Sequence, residues 1–155
     1  MDTVLASFRL PDTRTMLRLV AAGLAATLVW ELWARVVTAA VIGGPLEPAA
    51  LILTLFRLPG EYRPAAEALH LTTGFLFYPI LFLLIRRFVY SGGRLVDGLV
   101  IGVVTWILAL GVFAPLAGLP FMLGFIPLAW MSGIGHVVFG LVLSYAFAAL
   151  TARRS

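Results

Sequence analysis

Residues 95–114 read LVDGLVIGVVTWILALGVFA, twenty positions with a single charge, Asp97. At a helical rise of about 1.5 Å per residue such a stretch reaches about 30 Å, the thickness of the hydrocarbon core of a bilayer. It does not alternate apolar and polar side chains, so a half-buried strand is excluded and a membrane-spanning helix is the reading that remains. Three further stretches have the same character, at 15–41, 64–89 and 125–151. A transmembrane barrel would need at least about eight alternating strands. The pattern predicts an all-α fold: an integral membrane four-helix bundle, one transmembrane domain over residues 1–155.

The composition agrees. Of 155 residues, 62% are hydrophobic and 12% charged, against about 25% charged in soluble domains. The mean hydropathy is +1.06. No water-soluble fold of this length hides so much apolar surface. The absence of cysteine excludes disulfides and thiolate chemistry. The net charge of +4 does not indicate nucleic acid, because the arginines sit singly or in pairs at the ends of apolar stretches and form no basic stripe.

Those arginines set an orientation. Arg9, Arg14, Arg18, Arg86, Arg87, Arg94, Arg153 and Arg154 fall on one side of the four spans, and Arg35, Arg57 and Arg63 on the other. The positive-inside bias puts both termini in the cytoplasm. The first span follows a polar stretch and is interrupted by Glu31 and Arg35, so it reads as an uncleaved span and not a signal peptide. Residues 90–94, Tyr-Ser-Gly-Gly-Arg, make a tight turn between spans two and three. Residues 47–56 read as a short helix lying at the outer interface. The uncharged segment Pro115 to Pro127 is expected to tuck against protein or dip into the interface.

Alignment of His70-Leu71-Thr72-Thr73-Gly74 with His136-Val137-Val138-Phe139-Gly140 gives His-x-x-x-Gly twice, and Gly23 to Trp30 parallels Gly98 to Trp106. The chain thus reads as two helical hairpins forming a parallel internal repeat. Residues spaced by four mark small or polar faces: Gly23, Thr27, Glu31 and Arg35 on span one; Ala66, His70, Gly74 and Tyr78 on span two; Ser132, His136, Gly140 and Ser144 on span four. Helices in lipid pack through such faces, with Gly74, Gly140, Gly98 and Gly102 as close-approach positions. Depth counted from the arginines puts Glu31, Arg35, His70 and His136 in one layer of the interior, toward the outer side. Pro79 is expected to kink span two.

Ionisable groups inside a membrane mark function by default. Glu31 and Arg35, four apart with the acid first, form a structural ion pair. Two histidines on different helices could ligate b-type haem, with Arg35 beside a propionate, or hydrogen-bond a quinone head group. A metal site would need a third ligand, for which Glu31 is the only neighbour, so no metal is expected. A small-solute or proton transporter is the third class, although no polar pathway is evident. Ser132 beside His136 lacks the further groups of a hydrolase, and the chain reads as non-enzymatic. The leading expectation is an accessory or assembly subunit of a larger membrane complex, respiratory or photosynthetic, without a cofactor of its own. Phe75, Phe77, Phe82, Phe88 and several tryptophans would offer docking faces to other subunits or to a second copy.

The segment Gly23-Leu24-Ala25-Ala26-Thr27, the histidine early in span two, Trp106 in a glycine-bearing third span, Pro115-Leu116-Ala117-Gly118 and His136-x-x-x-Gly140 together resemble a family of small four-helix membrane proteins of bacteria and archaea, a domain of unknown function. The resemblance covers nearly the whole chain. Glu31 and Arg35 depart from it, standing where the family's first span is apolar. It implies the fold and carries no activity. With basic charge supplied only by arginine, it points to the inner membrane of a bacterium.

Overall fold

A computed structural model of the chain describes residues 11–89 and 91–152. Arg9, Tyr90, Arg153 and Arg154, used above for the charge and turn readings, lie outside them. Asp12 starts the first helix as its N-cap: the carboxylate accepts the backbone N–H of Thr15 at 2.7 Å, and that bond holds its pKa below the usual carboxylate value. The helix, α1, runs Thr13–Ile42 and ends where Gly43 takes a left-handed conformation, φ 81°. A short helix, α2, follows at Pro48–Phe56. Then come α3, Gly60–Phe88; α4, Arg94–Leu116; and α5, Pro127–Ala152. The four long helices are apolar enough to cross a membrane, and the chain is a multi-pass membrane protein. Among the described residues there is no strand.

α1 and α4 run from the face where α1 begins and α5 ends to the opposite face; α3 and α5 return. The first is called the termini face here and the second the loop face. α5 lies at the centre, packed along both α4 and α1, and α1 packs on α3. The hairpin contacts repeat. A Cβ added at Gly74 of α3 would meet Thr27 Oγ1 of α1 at 2.5 Å, and one added at Gly140 of α5 would run into Gly98 O and Gly102 N of α4. These are equivalent positions of the two aligned halves. Gly98 and Gly102 in turn lie against the α5 backbone at Leu141 and His136–Val137. Backbone-to-backbone approach of this kind is open only to glycine.

The core between α1, α3 and α5 holds Leu19, Ala22, Ala26, Phe82, Phe139, Leu143 and Phe147. Phe82 is 1% exposed, which corrects its expected place on an outward docking face; Phe77 and Phe88 are about half exposed. Lipid and protein interior are equally apolar, so hydropathy does not separate the two faces of such a helix. Trp30 is buried as well, while Trp130 faces outward.

Three long helices contain a π-helical turn: Trp33–Val37 in α1, Thr73–Phe77 in α3 and Ile107–Phe113 in α4. Such turns carry one residue more than a regular helix and recur at functional sites. In α1 the Thr38 N–H reaches back to Trp33 O, and Ala34 O accepts the N–H of Leu46 at 2.9 Å, which holds the segment before α2 against the helix. In α3 the π turn precedes Pro79, whose ring nests beside Gly23. Of the uncharged 115–127 segment only Met122 is buried, and most of the segment is exposed. Met122, Leu123, Gly124 and Phe125 have φ of 49°, 50°, 66° and 57°, a left-handed turn that buries Met122 against Leu110, Ala114 and Ala129.

Candidate functional site

The ionisable residues of α1 and α3 meet toward the loop face. Glu31 Oε2 accepts from Arg35 Nε at 2.6 Å, the ion pair expected from their spacing. Glu31 Oε1 accepts from His70 Nε2 of α3 at 2.9 Å, so one carboxylate joins two helices. Arg35 Nη2 also reaches Glu67 Oε2 at 3.0 Å. Glu67 lies 4.0 Å from Arg63, which pairs with Glu47 ahead of α2 at 3.3 Å. A chain of hydrogen-bonded and ion-paired side chains thus runs from His70 through Glu31, Arg35, Glu67 and Arg63 to Glu47. Its outer members are about half exposed, where ion pairs contribute little to stability. Its inner end, Glu31 with His70, is 83% buried at both side chains.

Arg35 does not face the interior, as the spacing by four implied. Its side chain is 49% exposed. Steps of four residues advance about 40° around a regular helix, and Arg35 also sits in the π turn. The face therefore rotates from buried Gly23 and Thr27 through mostly buried Glu31 to exposed Arg35. On α5 the expected face holds throughout: Ser132, His136, Gly140 and Ser144 are all buried.

His136 is 7% exposed and is not bonded to the charged chain. Its Nδ1 lies 2.8 Å from the carbonyl oxygen of Ser132, one turn earlier. A carbonyl only accepts, so Nδ1 carries the proton. Ser132 Oγ is 3.4 Å from the same nitrogen. Among the described residues no side chain or backbone group bonds Nε2. Trp30 joins the two histidines, its ring 4.9 Å from His70 and 5.8 Å from His136 between centroids.

Two spaces adjoin this cluster. A small one of about 20 Å³, bounded by Thr27, Trp30, His70, Gly74, Tyr78, His136 and Phe139, is the size of a single water. Thr27 Oγ1 and Trp30 Nε1 are buried in its wall residues without a hydrogen-bond partner among the described residues. The second is a cleft of about 860 Å³ on the loop-face half of the bundle. α3 and α4 meet only near their connecting turn and diverge beyond it, and α2 covers the gap. Leu51 and Leu55 of α2, Leu69, Phe77 and Leu81 of α3, Leu108 and Phe113 of α4, and Leu123 and Ile126 line it; His70, Thr73, Ser132 and His136 supply the polar end. Its rim residues Phe56, Phe77 and Phe113 are exposed and apolar, so it opens toward lipid. Small-molecule sites typically measure about 300–1,000 Å³, with mostly apolar walls and a few placed polar groups.

Glu31, His70 and His136 lie in one region, as counting depth implies, and Glu67, absent from the expected layer, joins through Arg35. Its position one turn before His70 was the available signal. The cleft carried no signal, since a divergence of helices leaves hydropathy unchanged.

The chain belongs to DUF6789, a family of unknown function, which matches residues 13–155. No curated protein and no solved structure matches the chain.

Proposed function

We propose that the chain is a non-catalytic accessory module of a membrane complex that holds a lipid-soluble, quinone-class molecule in the cleft between α2, α3 and α4. The observation that carries this reading is the cleft itself: apolar walls, an apolar rim toward lipid, and His70, Ser132 and His136 at its polar end. A long-tailed molecule with a small oxygen-bearing head matches that distribution of groups. The haem alternative has less support. His70 Nε2 is engaged by Glu31, and Trp30 packs on both imidazoles.

Extraction in a mild detergent, followed by native mass spectrometry and analysis of extracted lipids, tests the proposal. A co-purifying quinone-class molecule and a stoichiometric partner protein are expected. Ala109→Trp, which fills the cleft from α4, should remove the small molecule and leave the fold intact. Protein that migrates alone and releases no such molecule would refute the reading, and a Soret band lost in His136→Ala would put haem in its place.

The proposal includes a topology: a bacterial inner membrane with the termini face in the cytoplasm. Among the described residues Arg14, Arg18, Arg86, Arg87 and Arg94 lie toward that face, and Arg35, Arg57 and Arg63 toward the other. A cysteine at Ser91 is expected to react with membrane-impermeant maleimide only after the cytoplasmic side is opened. Labelling of intact spheroplasts would reverse the orientation.

A further inference from the structure

We infer that the cleft selects a ligand whose head group donates a hydrogen bond, a lipophilic phenol or hydroquinone, and discriminates against the carbonyl or ether form of the same molecule. The inference rests on the cleft being a ligand site and assigns its polarity. The warrant is the tautomer of His136. Nδ1–H is committed to the carbonyl of Ser132 at 2.8 Å, and no carboxylate touches the ring, so the imidazole carries one proton and Nε2 presents a lone pair. His136 is 93% buried, lines the cleft, and offers Nε2 to nothing else among the described residues.

A carbonyl oxygen brought to that lone pair would face it acceptor to acceptor, with neither able to donate. Both would have lost water, which is costly in an apolar site. A hydroxyl donates into it. Ser132 does not reverse this polarity. Its Oγ lies 3.4 Å from Nδ1 and, like the Tyr78 hydroxyl that also lines the cleft, rotates to serve either polarity, so neither hydroxyl discriminates and the selection rests on Nε2 of His136. The other histidine adds no competing donor at Nε2, because that N–H is spent on Glu31 at 2.9 Å. Sites built to hydrogen-bond one polarity reject the analogue of the other more strongly than apolar pockets discriminate by size.

The experiment compares two probes of nearly equal shape on the full chain in phosphatidylcholine nanodiscs: a long-chain 4-alkylphenol and its methyl ether. Binding is followed by tryptophan fluorescence, since Trp30 adjoins His136. The phenol is expected to bind about tenfold or more tightly than the ether, the scale of one hydrogen bond satisfied against one lost. In His136→Phe, which keeps a flat ring and removes the acceptor, the two affinities should converge. Nitrogen-15 resonances of the histidines in the wild-type chain give a second readout: the phenol should shift Nε2 of His136 and leave Nδ1 protonated. Equal binding of both probes to the wild type, or a His136 protonated on Nε2, overturns the inference and leaves the cleft a ligand site. Binding of neither probe overturns the ligand site as well.

Discussion

Gly140→Val is expected to be the most damaging single substitution in the chain, lowering stability by about 3 kcal/mol or more. A Cβ at this position would run into the carbonyl oxygen of Gly98 and lie 2.8 Å from the amide nitrogen of Gly102. Both are backbone atoms, so no rotamer change relieves the clash; α4 and α5 must move apart. Because α5 also packs along α1, separation at this point loosens the centre of the bundle. Unfolding in mixed micelles of increasing SDS content would measure the loss. Gly111→Ala is the matched control. There the added carbon would meet the tip of Met122 at 3.3 Å, a flexible side chain that can yield, and a change within about 1 kcal/mol is expected. Equal behaviour of the two variants would remove close backbone packing as the explanation of the α4–α5 contact.

The second large effect is expected at the other end of the molecule. Asp97, in the first turns of α4, has a side chain 1% exposed and lies 2.9 Å from Arg86 Nε of α3. The arginine N–H is not aligned on the carboxylate, so this is a contact of charge and not a hydrogen bond. The carboxylate accepts the N–H of Gly92 at 2.8 Å and the Ser91 hydroxyl at 3.3 Å, which ties the α3–α4 turn to the helix it starts. Arg86 lies over Phe82 and Phe147, 5.4 and 6.0 Å from their ring centres. Arg86→Ala would leave a buried carboxylate without its counter-charge. Breaking a fully buried pair costs about 3–5 kcal/mol, and the partial exposure of Arg86 reduces that to roughly 2–3 kcal/mol. Adding Asp97→Leu to that variant should recover part of the loss, since the isolated charge is then gone. A double variant weaker than the sum of the single ones would show that the pair stabilises by something other than mutual neutralisation.

The contrast between these two places explains what the sequence made legible. The four spans were plain, because twenty apolar residues in water have no alternative to a membrane. Small faces were plain on α5, where a regular helix keeps residues spaced by four together. On α1 the same reading failed at Arg35, because a π turn changes the phase and has no composition of its own. Phe82 was misplaced because its helix is apolar on the core side and the lipid side alike. The cross-helix bond of Glu31 to His70 follows from depth, which can be counted, and from rotation, which cannot. The left-handed turn at Met122 and Leu123 uses residue types that give no hint of positive φ, and only tertiary packing of Met122 accounts for it.

The π turn in α3 also makes the length of the gene matter at single-codon resolution. Between His70, held by Glu31, and Pro79, held beside Gly23, the helix is anchored at both ends to the same neighbour. The π turn at Thr73–Phe77 absorbs the surplus residue between them, so both anchors face α1. An in-frame deletion of one codon there would leave a segment that still inserts and still reads as a membrane span. The π turn would close into regular helix and both anchors would stay on α1, whereas one added codon would turn one anchor away from the other by about 100°. Insertions in this stretch are therefore expected to be inherited as loss of the polar layer rather than loss of the protein, a distinction that hydropathy profiles of lengthened alleles would not reveal.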